Sequence, residues 1–380
     1  MRGEAEGVRR ASATFCRSVT CLVPVLALAL AGCTTLPTAE QIERGAERLE
    51  HELRSLENEG FAGQVLVARG DEVLLLSGYG AMGLDDPRPV TDNAVMPLAS
   101  ITKPFTASAI FVLAAEGKLA LDDPIGQFLD ELDSPWGDIP VQALLTHSAG
   151  LPAEIVRHGR MEEHRFEPID RNTFLQRVQH FEPDFEPGAG FRYGNVSYGL
   201  LAAIIEVVAE QSWESFLIGS VLNTAGVADI GVFSPGWHDS EMVRARDGER
   251  DLGHYLEQPR LADGLGYNIR GAGDLHARPA GVLAWWQAMR QEFWLSPPWM
   301  DRWLEPQISE PDGSRYGYGL HFRRSPWGPV IGHTGGEAGF TSDFSWFTEL
   351  DLVVYINSAH TDFEADLLRD RLHRQLLGKR

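Results

Sequence analysis

Ser100 and Lys103 are the residues whose types and spacing most directly suggest catalysis. They stand three positions apart, just before an apolar run at residues 105–115. If this run is a helix, the two residues share one face, and the lysine amine reaches over the serine hydroxyl. A serine hydroxyl becomes a good nucleophile when a base takes its proton, and a buried lysine can serve because burial favours the neutral amine. The spacing therefore predicts that Ser100 is a nucleophile and Lys103 its base.

The scarcity of lysine supports this interpretation. The 380-residue chain has 33 basic residues, and the lysines among them are Lys103, Lys118 and Lys379. Arginine supplies the other cations, but it does not lose its proton in the accessible pH range. Lysine at position 103 therefore fits a group that must accept a proton. The alternative is a helix-capping serine followed by a solvated lysine, which requires no chemistry.

A second motif, Tyr193-Gly194-Asn195, precedes a predicted helix at residues 197–211. A tyrosine can relay a proton to a leaving group, and an asparagine can hold an amide or ester and orient the lysine. The alternative is a capping asparagine beside a packed tyrosine. Tyr198 is a competing candidate, but its place inside the helix favours packing.

The third motif is His333-Thr334-Gly335, followed directly by Gly336. It comes at the end of a strand-like run, where glycines let the backbone approach a substrate closely. A backbone N–H at this point can complete an oxyanion hole together with the N–H of Ser100. A plain glycine-rich turn is the alternative.

Together the three motifs resemble the serine β-lactamase and penicillin-binding-protein superfamily, in its branch of class C β-lactamases, D,D-peptidases and esterases. The resemblance covers about residues 41–380 and includes the amino-acid sequences of residues 144–152 and 271–275. It implies acyl transfer through a covalent serine ester. The roles that it implies are Ser100 as nucleophile, Lys103 as base, Tyr193 as acid–base partner, Asn195, His333, Thr334 and Gly335 as substrate ligands, and the N–H groups of Ser100 and Gly336 as the oxyanion hole.

Histidine at position 333 departs from the many members of the superfamily that have lysine there. A histidine titrates near pH 6.5, so at neutral pH the pocket would lose part of a positive charge. A cation there helps to bind a substrate carboxylate, such as the one in penicillins. Because histidine supplies less positive charge, efficient β-lactam hydrolysis is a less favoured function for this chain. We therefore rank hydrolysis of a carboxylic ester or D-amino-acid peptide first and β-lactam hydrolysis second. A non-catalytic envelope protein that binds peptidoglycan or a partner is the third alternative.

The elements that must position these motifs come from both ends of the chain. Strands at both ends with helices between them predict an α/β (α+β) fold with an antiparallel sheet flanked by helices. They also predict a mostly helical subdomain inserted at about residues 120–265. The resemblance implies that this fold is β-lactamase/transpeptidase-like. The site should lie in the cleft between the two parts. The patterns predict helices at residues 41–58, 100–116, 197–211, 279–292 and 364–377, and strands at residues 63–68, 72–79, 319–323, 330–333, 340–347 and 351–358.

The N-terminus has the character of an export signal. Arginines precede an apolar stretch at residues 19–31, which is short for a membrane span and has the length of a signal-peptide core. The stretch ends in Leu-Ala-Gly before Cys33, which resembles the lipobox of bacterial lipoproteins. This predicts a signal peptide at residues 1–32, a lipidated tether at 33–40 and a hydrolase domain at 41–380 on the periplasmic face of the cell envelope. An ordinary signal peptide or a short anchor is the alternative.

Composition narrows the possible partners. The net charge of −21 would repel the phosphates of nucleic acid, so the expected partners are a small-molecule or peptide substrate and the membrane through the N-terminal lipid. Cleavage before Cys33 would remove the other two cysteines, which excludes a cysteine nucleophile or a zinc–thiolate site in the mature protein. Since no metal-binding spacing or Gly-x-Ser-x-Gly elbow occurs, we expect neither a cofactor nor a metal, and no α/β-hydrolase site. A Trp-rich stretch at residues 285–303 is expected to line the core or a groove.

Overall fold

The largest sheet is built from both ends of the chain. The computed structural model describes residues 36–153, 169–232, 236–254, 257 and 266–378. The strands in these residues are β1 (Gly63–Arg69), β2 (Glu72–Tyr79), β3 (Met96–Pro97), β4 (Ile230–Gly231), β5 (Ala245–Asp247), β6 (Arg250–Gly253), β7 (His276–Ala277), β8 (Ile308–Ser309), β9 (Arg315–Tyr316), β10 (His321–Ser325), β11 (Gly328–Glu337), β12 (Phe340–Phe347) and β13 (Leu352–Ser358).

Eight of these strands form one antiparallel sheet in the order β2-β1-β13-β12-β11-β10-β9-β8. The N-terminal hairpin β1–β2 joins the C-terminal strands through β13, with Val65 opposite Ile356. Two smaller sheets, β3-β7-β4 and β5-β6, lie outside it. The predicted antiparallel sheet, made from both termini, is therefore confirmed.

Helices cover both faces of the main sheet. On one face, α1 and α9 pack together against the sheet, and the apolar residues of this layer include Leu49, Val67 and Leu372. On the other face, α2, α7 and the elements between them form the larger core, which contains Phe105 and Tyr355. The helices are α1 (Ala39–Glu59), α2 (Thr102–Ala115), α3 (Val141–Leu145), α4 (Arg171–Val178), α5 (Asn195–Ala209), α6 (Trp213–Phe216), α7 (Pro279–Arg290), α8 (Pro297–Trp303) and α9 (Ala365–Leu377), with short 3₁₀ turns at Ala99–Ile101, Ile125–Gln127 and Asp239–Glu241 and a π turn at Leu217–Leu222.

Strand β12 shows how the two faces alternate. The side chain of Ser342 reaches Leu98 ahead of α2, and Phe344 packs on Trp285 of α7. The intervening residue Asp343 pairs with Arg369 of α9. Because successive side chains on a strand point to opposite faces, the even-numbered residues of β12 face α2 and the odd-numbered ones face α9.

Most predicted elements agree with the structure to within two residues, as the termini of α1, α2, α5, α7 and α9 show. Strand β11 is longer than predicted and extends to Glu337, so the third motif lies within the strand rather than after it. The tryptophans behave as expected: Trp285, Trp286 and Trp303 are fully buried, and Trp294 and Trp299 pack against the core.

Leu36–Arg380 forms one compact unit, and the subdomain limits near residues 120 and 265 stay a prediction. The predicted signal peptide and Cys33 lie outside the described residues. Of the helices that are described, none combines the length and the apolar character needed to cross a membrane.

Candidate active site

Ser100 lies in a tight turn directly before α2. It is half-buried, and the residue before it, Ala99, has a φ of 49°, in the left-handed region that side chains with a Cβ rarely adopt. The turn is held from two sides, because Leu98 N donates to Leu275 O at 2.8 Å and Leu98 O accepts from Ser342 Oγ at 2.9 Å. These contacts fix the strained turn that presents the Ser100 hydroxyl at the helix start.

Gly335 allows β11 to pack directly on this turn. A Cβ at this position would lie 2.4 Å from Ser342 Oγ and 2.5 Å from Leu98 O, which no side chain tolerates without movement. At Gly336 a Cβ would meet nothing within 4 Å, and this residue is exposed. Strand β11 therefore packs against the Ser100 turn at Gly335. At Gly336, one residue later, it borders open space in which a substrate has room. The role of the Gly336 N–H in an oxyanion hole stays a prediction.

Lys103 is the second residue of α2 and is fully buried. Its Nζ is 3.0 Å from Ser100 Oγ, 2.8 Å from Asn195 Oδ1 and 3.0 Å from Ala272 O. The last two atoms are pure acceptors, so they hold two of the amine hydrogens. The third tetrahedral position of Nζ points at Ser100. This position holds a hydrogen when Lys103 is protonated and a lone pair when its amine is neutral.

The two acceptors that orient Lys103 are themselves fixed to neighbouring elements. Asn195 is the first residue of α5, and its backbone N donates to Ala153 O at 2.8 Å. The loop that carries Ala272 is fastened to α2, since Thr106 Oγ1 donates to Gly271 O at 2.7 Å. The second predicted motif and the segment at residues 271–275 therefore converge on the same amine.

Tyr193 is half-buried at the open side of this cluster, and its ring centroid lies 4.8 Å from Lys103 Nζ. The ring also lies 5.9 Å from the ring of His333, so the three motifs meet around one space. Tyr198, in contrast, is fully buried, and its hydroxyl donates to Leu145 O at 2.9 Å. The prediction that Tyr198 is a packing residue is confirmed, and the acid–base role of Tyr193 stays a prediction.

His333 is buried rather than open to solvent. Its Nδ1 is 2.5 Å from Thr334 O, and because a carbonyl only accepts, Nδ1 carries the proton. Its Nε2 is then the acceptor for the Tyr316 hydroxyl at 3.1 Å. Burial first, and then repulsion from a proton on the neighbouring His321 or Lys103 side chain, holds the pKa of His333 well below 6.5. The expectation of a partly charged imidazole at neutral pH is therefore revised: the ring is neutral.

Three aromatic residues that the motifs did not identify complete the surroundings of Lys103: His147, Tyr316 and His321. The ring of His147 lies 4.4 Å from that of Tyr193 and 4.9 Å from that of Tyr316. Burial and the charge of Lys103 hold the pKa of His147 well below 6.5. His321 is partly exposed, lies 4.6 Å from the His333 ring and has its Nδ1 2.8 Å from Glu310 Oε1.

The sequence held a signal for one of these residues, Tyr316. Aromatic residues alternate with glycine from Tyr316 to Gly319, directly before β10. Gly319 has a φ of 82°, and a Cβ there would approach Lys103 O to 3.1 Å, so this segment packs against the catalytic helix. Within the described ranges, no group of three or more His, Cys, Asp or Glu side chains is arranged to hold a metal ion.

The family model described as Beta-lactamase matches residues 50–378. Penicillin-binding protein 4* of Bacillus subtilis (strain 168) is 25% identical over 331 residues, which cover 83% of this chain and 73% of that protein. Esterase EstB of Burkholderia gladioli is 29% identical over 227 residues, which cover 54% of this chain and 56% of that protein.

Among solved structures, the chain is similar to the β-lactamase/D-alanine carboxypeptidase from Pseudomonas syringae. The TM-score is 0.74 at 16% sequence identity, and the match covers 88% of this chain and 98% of the other. At this level of identity the likeness establishes a shared fold, which is the fold that the sequence patterns predicted.

Proposed function

Because this chain belongs to the Beta-lactamase family, we propose that it is a serine hydrolase that works through a covalent acyl ester on Ser100. The observation that carries the proposal is the buried amine of Lys103, whose Nζ lies 3.0 Å from Ser100 Oγ. Asn195 and Ala272 orient this amine toward the hydroxyl. Such an arrangement of nucleophile, base and orienting groups is what nucleophilic catalysis requires.

The reaction proceeds in two halves that balance their protons. In the first, neutral Lys103 takes the Ser100 hydroxyl proton while Oγ bonds to the substrate acyl carbon, and the N–H groups of Ser100 and Gly336 stabilise the oxyanion. The proton then passes, with Tyr193 as relay, to the leaving alcohol or amine as its bond to the acyl carbon breaks. In the second half, water gives a proton to neutral Lys103 as its oxygen bonds to the acyl carbon, and the bond from that carbon to Ser100 Oγ then breaks. Lys103 returns the proton to Ser100 Oγ, which restores the neutral amine and the free serine as the carboxylic acid product leaves.

The substrate class follows from the charges that surround Ser100. His333 is buried and neutral, and both of its ring nitrogens already have partners in Thr334 O and the Tyr316 hydroxyl, so it offers a substrate carboxylate no positive charge. An uncharged group therefore fits beside His333 better than a carboxylate. Carboxylic esters and D-amino-acid peptides therefore remain ahead of β-lactams, and esters come first. The similar proteins include an esterase from Burkholderia gladioli and a β-lactamase/D-alanine carboxypeptidase from Pseudomonas syringae. Their names cover ester and D-alanine peptide hydrolysis as well as β-lactam hydrolysis.

The cellular setting is a further part of the proposal. The Leu-Ala-Gly-Cys33 sequence supports export and acylation of Cys33, with the hydrolase held at the periplasmic face of the envelope. We expect Cys33→Ala to release the protein from membranes or to stall its processing. Membrane fractionation and intact mass provide the measurement, and an unchanged membrane fraction with no lipid mass on Cys33 contradicts this part of the proposal.

A comparison of three substrates tests the activity. We expect kcat/KM to be highest for a neutral activated ester, lower for a peptide ending in D-alanine and lowest for a penicillin. Ser100→Ala should abolish turnover of all three. Preference for the penicillin would make the protein a class C-like β-lactamase, and absence of Ser100-dependent turnover for all three would favour the non-catalytic envelope protein.

A further inference from the structure

A cavity of about 310 Å³ lies on the side of the main sheet away from Ser100. The β10–β11 hairpin and α9 form its walls, and Ser345 of β12 lies at its base. Ser345 is one of the odd-numbered β12 residues, which face α9, whereas Ser342 faces the Ser100 turn. The cavity is therefore separated from the candidate active site by the thickness of the sheet.

Four arginines line this cavity: Arg323, Arg324, Arg369 and Arg374. Such a cluster is unusual in a chain with 54 acidic and 33 basic residues, because acidic partners are abundant. Arg324 and Arg374 are exposed, and neither makes a side-chain hydrogen bond, ion pair or ring contact with any described residue. Every other arginine of the described ranges has a hydrogen bond, ion pair, ring contact or electrostatic interaction. Arg69, Arg246 and Arg315, for example, donate to carbonyl groups, and Arg302 lies over an aromatic ring. The two unpartnered arginines thus share a single cavity.

The other two arginines are oriented from beneath by one buried carboxylate. Asp343 is fully buried, and its Oδ2 lies 3.5 Å from Arg323 Nη2 and 3.3 Å from Arg369 Nη1. Arg323 also donates through Nη2 to Ser345 Oγ at 3.1 Å, which leaves its Nε and Nη1 hydrogens available. Arg369 Nε donates a hydrogen bond to Asp370 Oδ1, and the Nη2 hydrogens of Arg369 remain available. Fixed guanidinium groups with unused donors are suited to bind an anion.

The balance of charge around the cavity is positive. Four guanidinium groups line the cavity, and the carboxylates that neutralise part of their charge are those of Asp343 and Asp370, which leaves an excess of two positive charges. His373, on the wall, adds no charge at neutral pH, because burial lowers its pKa to about 4. His373 Nε2 and Trp327 Nε1 are buried polar atoms of the wall without a hydrogen-bond partner. Two excess charges match a phosphate dianion better than a single carboxylate.

We propose that this cavity is an accessory phosphate-binding site, in which Arg324 and Arg374 supply hydrogen-bond donors that no described residue of the protein engages. Arg323 and Arg369, held by Asp343, complete the ring of donors. The ligand is a phosphate group, either free or in the headgroup of an anionic lipid. The site is independent of the hydrolase reaction, because it lies on the opposite face of the sheet.

Calorimetric titration of the full chain with inorganic phosphate at pH 7.5 tests the proposal. About 0.1 M salt is suitable, since the Debye length of about 10 Å then screens the overall negative charge. We expect saturable binding by the wild type and at least tenfold weaker binding by the double variant Arg324→Gln/Arg374→Gln. Arg371→Gln is the matched control, because Arg371 lies on the same helix but pairs with Glu52 outside the cavity. Circular dichroism and thermal unfolding without phosphate verify that both variants fold.

Vesicles distinguish the two sources of phosphate. A preference for phosphatidylglycerol-containing over pure phosphatidylcholine vesicles, lost in the double variant and kept in Arg371→Gln, identifies a lipid headgroup as the ligand. Binding of inorganic phosphate without that preference identifies free phosphate. Failure of the wild type to bind either probe, or equal binding by the double variant, overturns the proposal.

Discussion

At the scale of single residues, the chemistry depends on the direction of one amine. Asn195 and Ala272 accept hydrogen bonds from Lys103 and leave its third tetrahedral direction aimed at Ser100. An arginine in this place would keep the positive charge, but it could not accept the serine proton. The identity of residue 103 therefore separates a base from a fixed cation.

Lys103→Arg should keep the fold and slow acylation of Ser100 by about 10²–10⁴-fold, the usual contribution of a positioned general base. Single-turnover acylation by an activated ester measures the effect. Lys118→Arg is the matched control, because Lys118 is exposed and pairs with Glu116. Acylation of the Lys103 variant within about threefold of the wild type would show that another group takes the proton.

The neutral state of His333 leads to a prediction about pH. Since burial holds the pKa of His333 well below 6.5, we expect its imidazole to remain without a second, charging proton between pH 7.5 and pH 5.5. Burial likewise keeps His147 neutral. Lys103 acts on both esters in the same way, so its titration cancels in a ratio of their rates. His321→Gln removes the remaining nearby imidazole. In that variant, the ratio of kcat/KM for a carboxylated ester to that for a matched neutral ester should stay constant within about twofold.

The contrary outcome is easily recognised. A His333 that titrated near 6.5 would change its charged fraction about tenfold between pH 5.5 and 7.5. A ratio that falls by that amount as the pH rises would mean that His333 binds the carboxylate as a cation, as the sequence alone suggested.

The sequence predicted the candidate site to an uneven degree. Ser100, Lys103, Tyr193, Asn195 and His333 were selected from local motifs, and the fold brings them together around one space. Their roles still await experiment. The burial of His333 was not predictable, because the covering Tyr316 comes from another strand and its contact depends on strand pairing.

At the scale of elements, the site depends on how closely β11 approaches the turn before α2. Gly335 permits the contact with Leu98 and Ser342, and Gly336 stands in open space one residue later. The sequence predicted glycines at a strand end, but it could not show which one is sterically required. That distinction arises from the register of β11 against β12, where Gly335 lies opposite Ser342.

Gly335→Ala should therefore destabilise the protein by about 1–3 kcal/mol, the usual effect of overpacking a closely packed contact. It should also slow acylation, because the added methyl group displaces the Ser100 turn. Denaturant unfolding measures the first effect, with Gly336→Ala as the matched control that retains the wild-type stability. Equal stability of both variants would show that β11 does not pack on the turn in this way.

The secondary structure was more predictable than the contacts between elements. Long, strongly periodic segments such as α1 and β13 follow their hydrophobic patterns closely. Local hydrophobicity did not reveal that β11 extends through the third motif, because Thr334, Gly335 and Gly336 carry no apolar signal. Pairing with β12 forms that part of the strand.

At the scale of the whole molecule, buried neutral histidines make the fold sensitive to acid. Burial lowers the pKa values of His276 and His373 to about 4, from about 6.5 in an unfolded chain. The unfolded state therefore binds more protons as the pH falls, so the stability present above pH 6.5 is lost progressively toward pH 4. Each of the two histidines should account for about 2–3 kcal/mol at pH 4.5.

Denaturant unfolding at pH 7.5 and pH 4.5 checks this prediction. His373→Phe should reduce the loss of stability between the two pH values, since the variant has no imidazole to protonate on unfolding. His51→Gln is the control, because His51 is exposed on α1. An equal loss in the wild type and in His373→Phe would mean that His373 does not couple folding to protonation.

Mass spectrometry of the acid-quenched protein shows whether catalysis passes through an acyl ester on Ser100. After brief exposure to a short activated ester, the wild type should gain the mass of one acyl group, and peptide mapping should locate it on Ser100. Ser100→Ala should gain none. The mechanism would be contradicted if the ester turned over with no acyl adduct, or if the adduct hydrolysed more slowly than the ester turns over. Equal labelling of Ser100→Ala would contradict it as well.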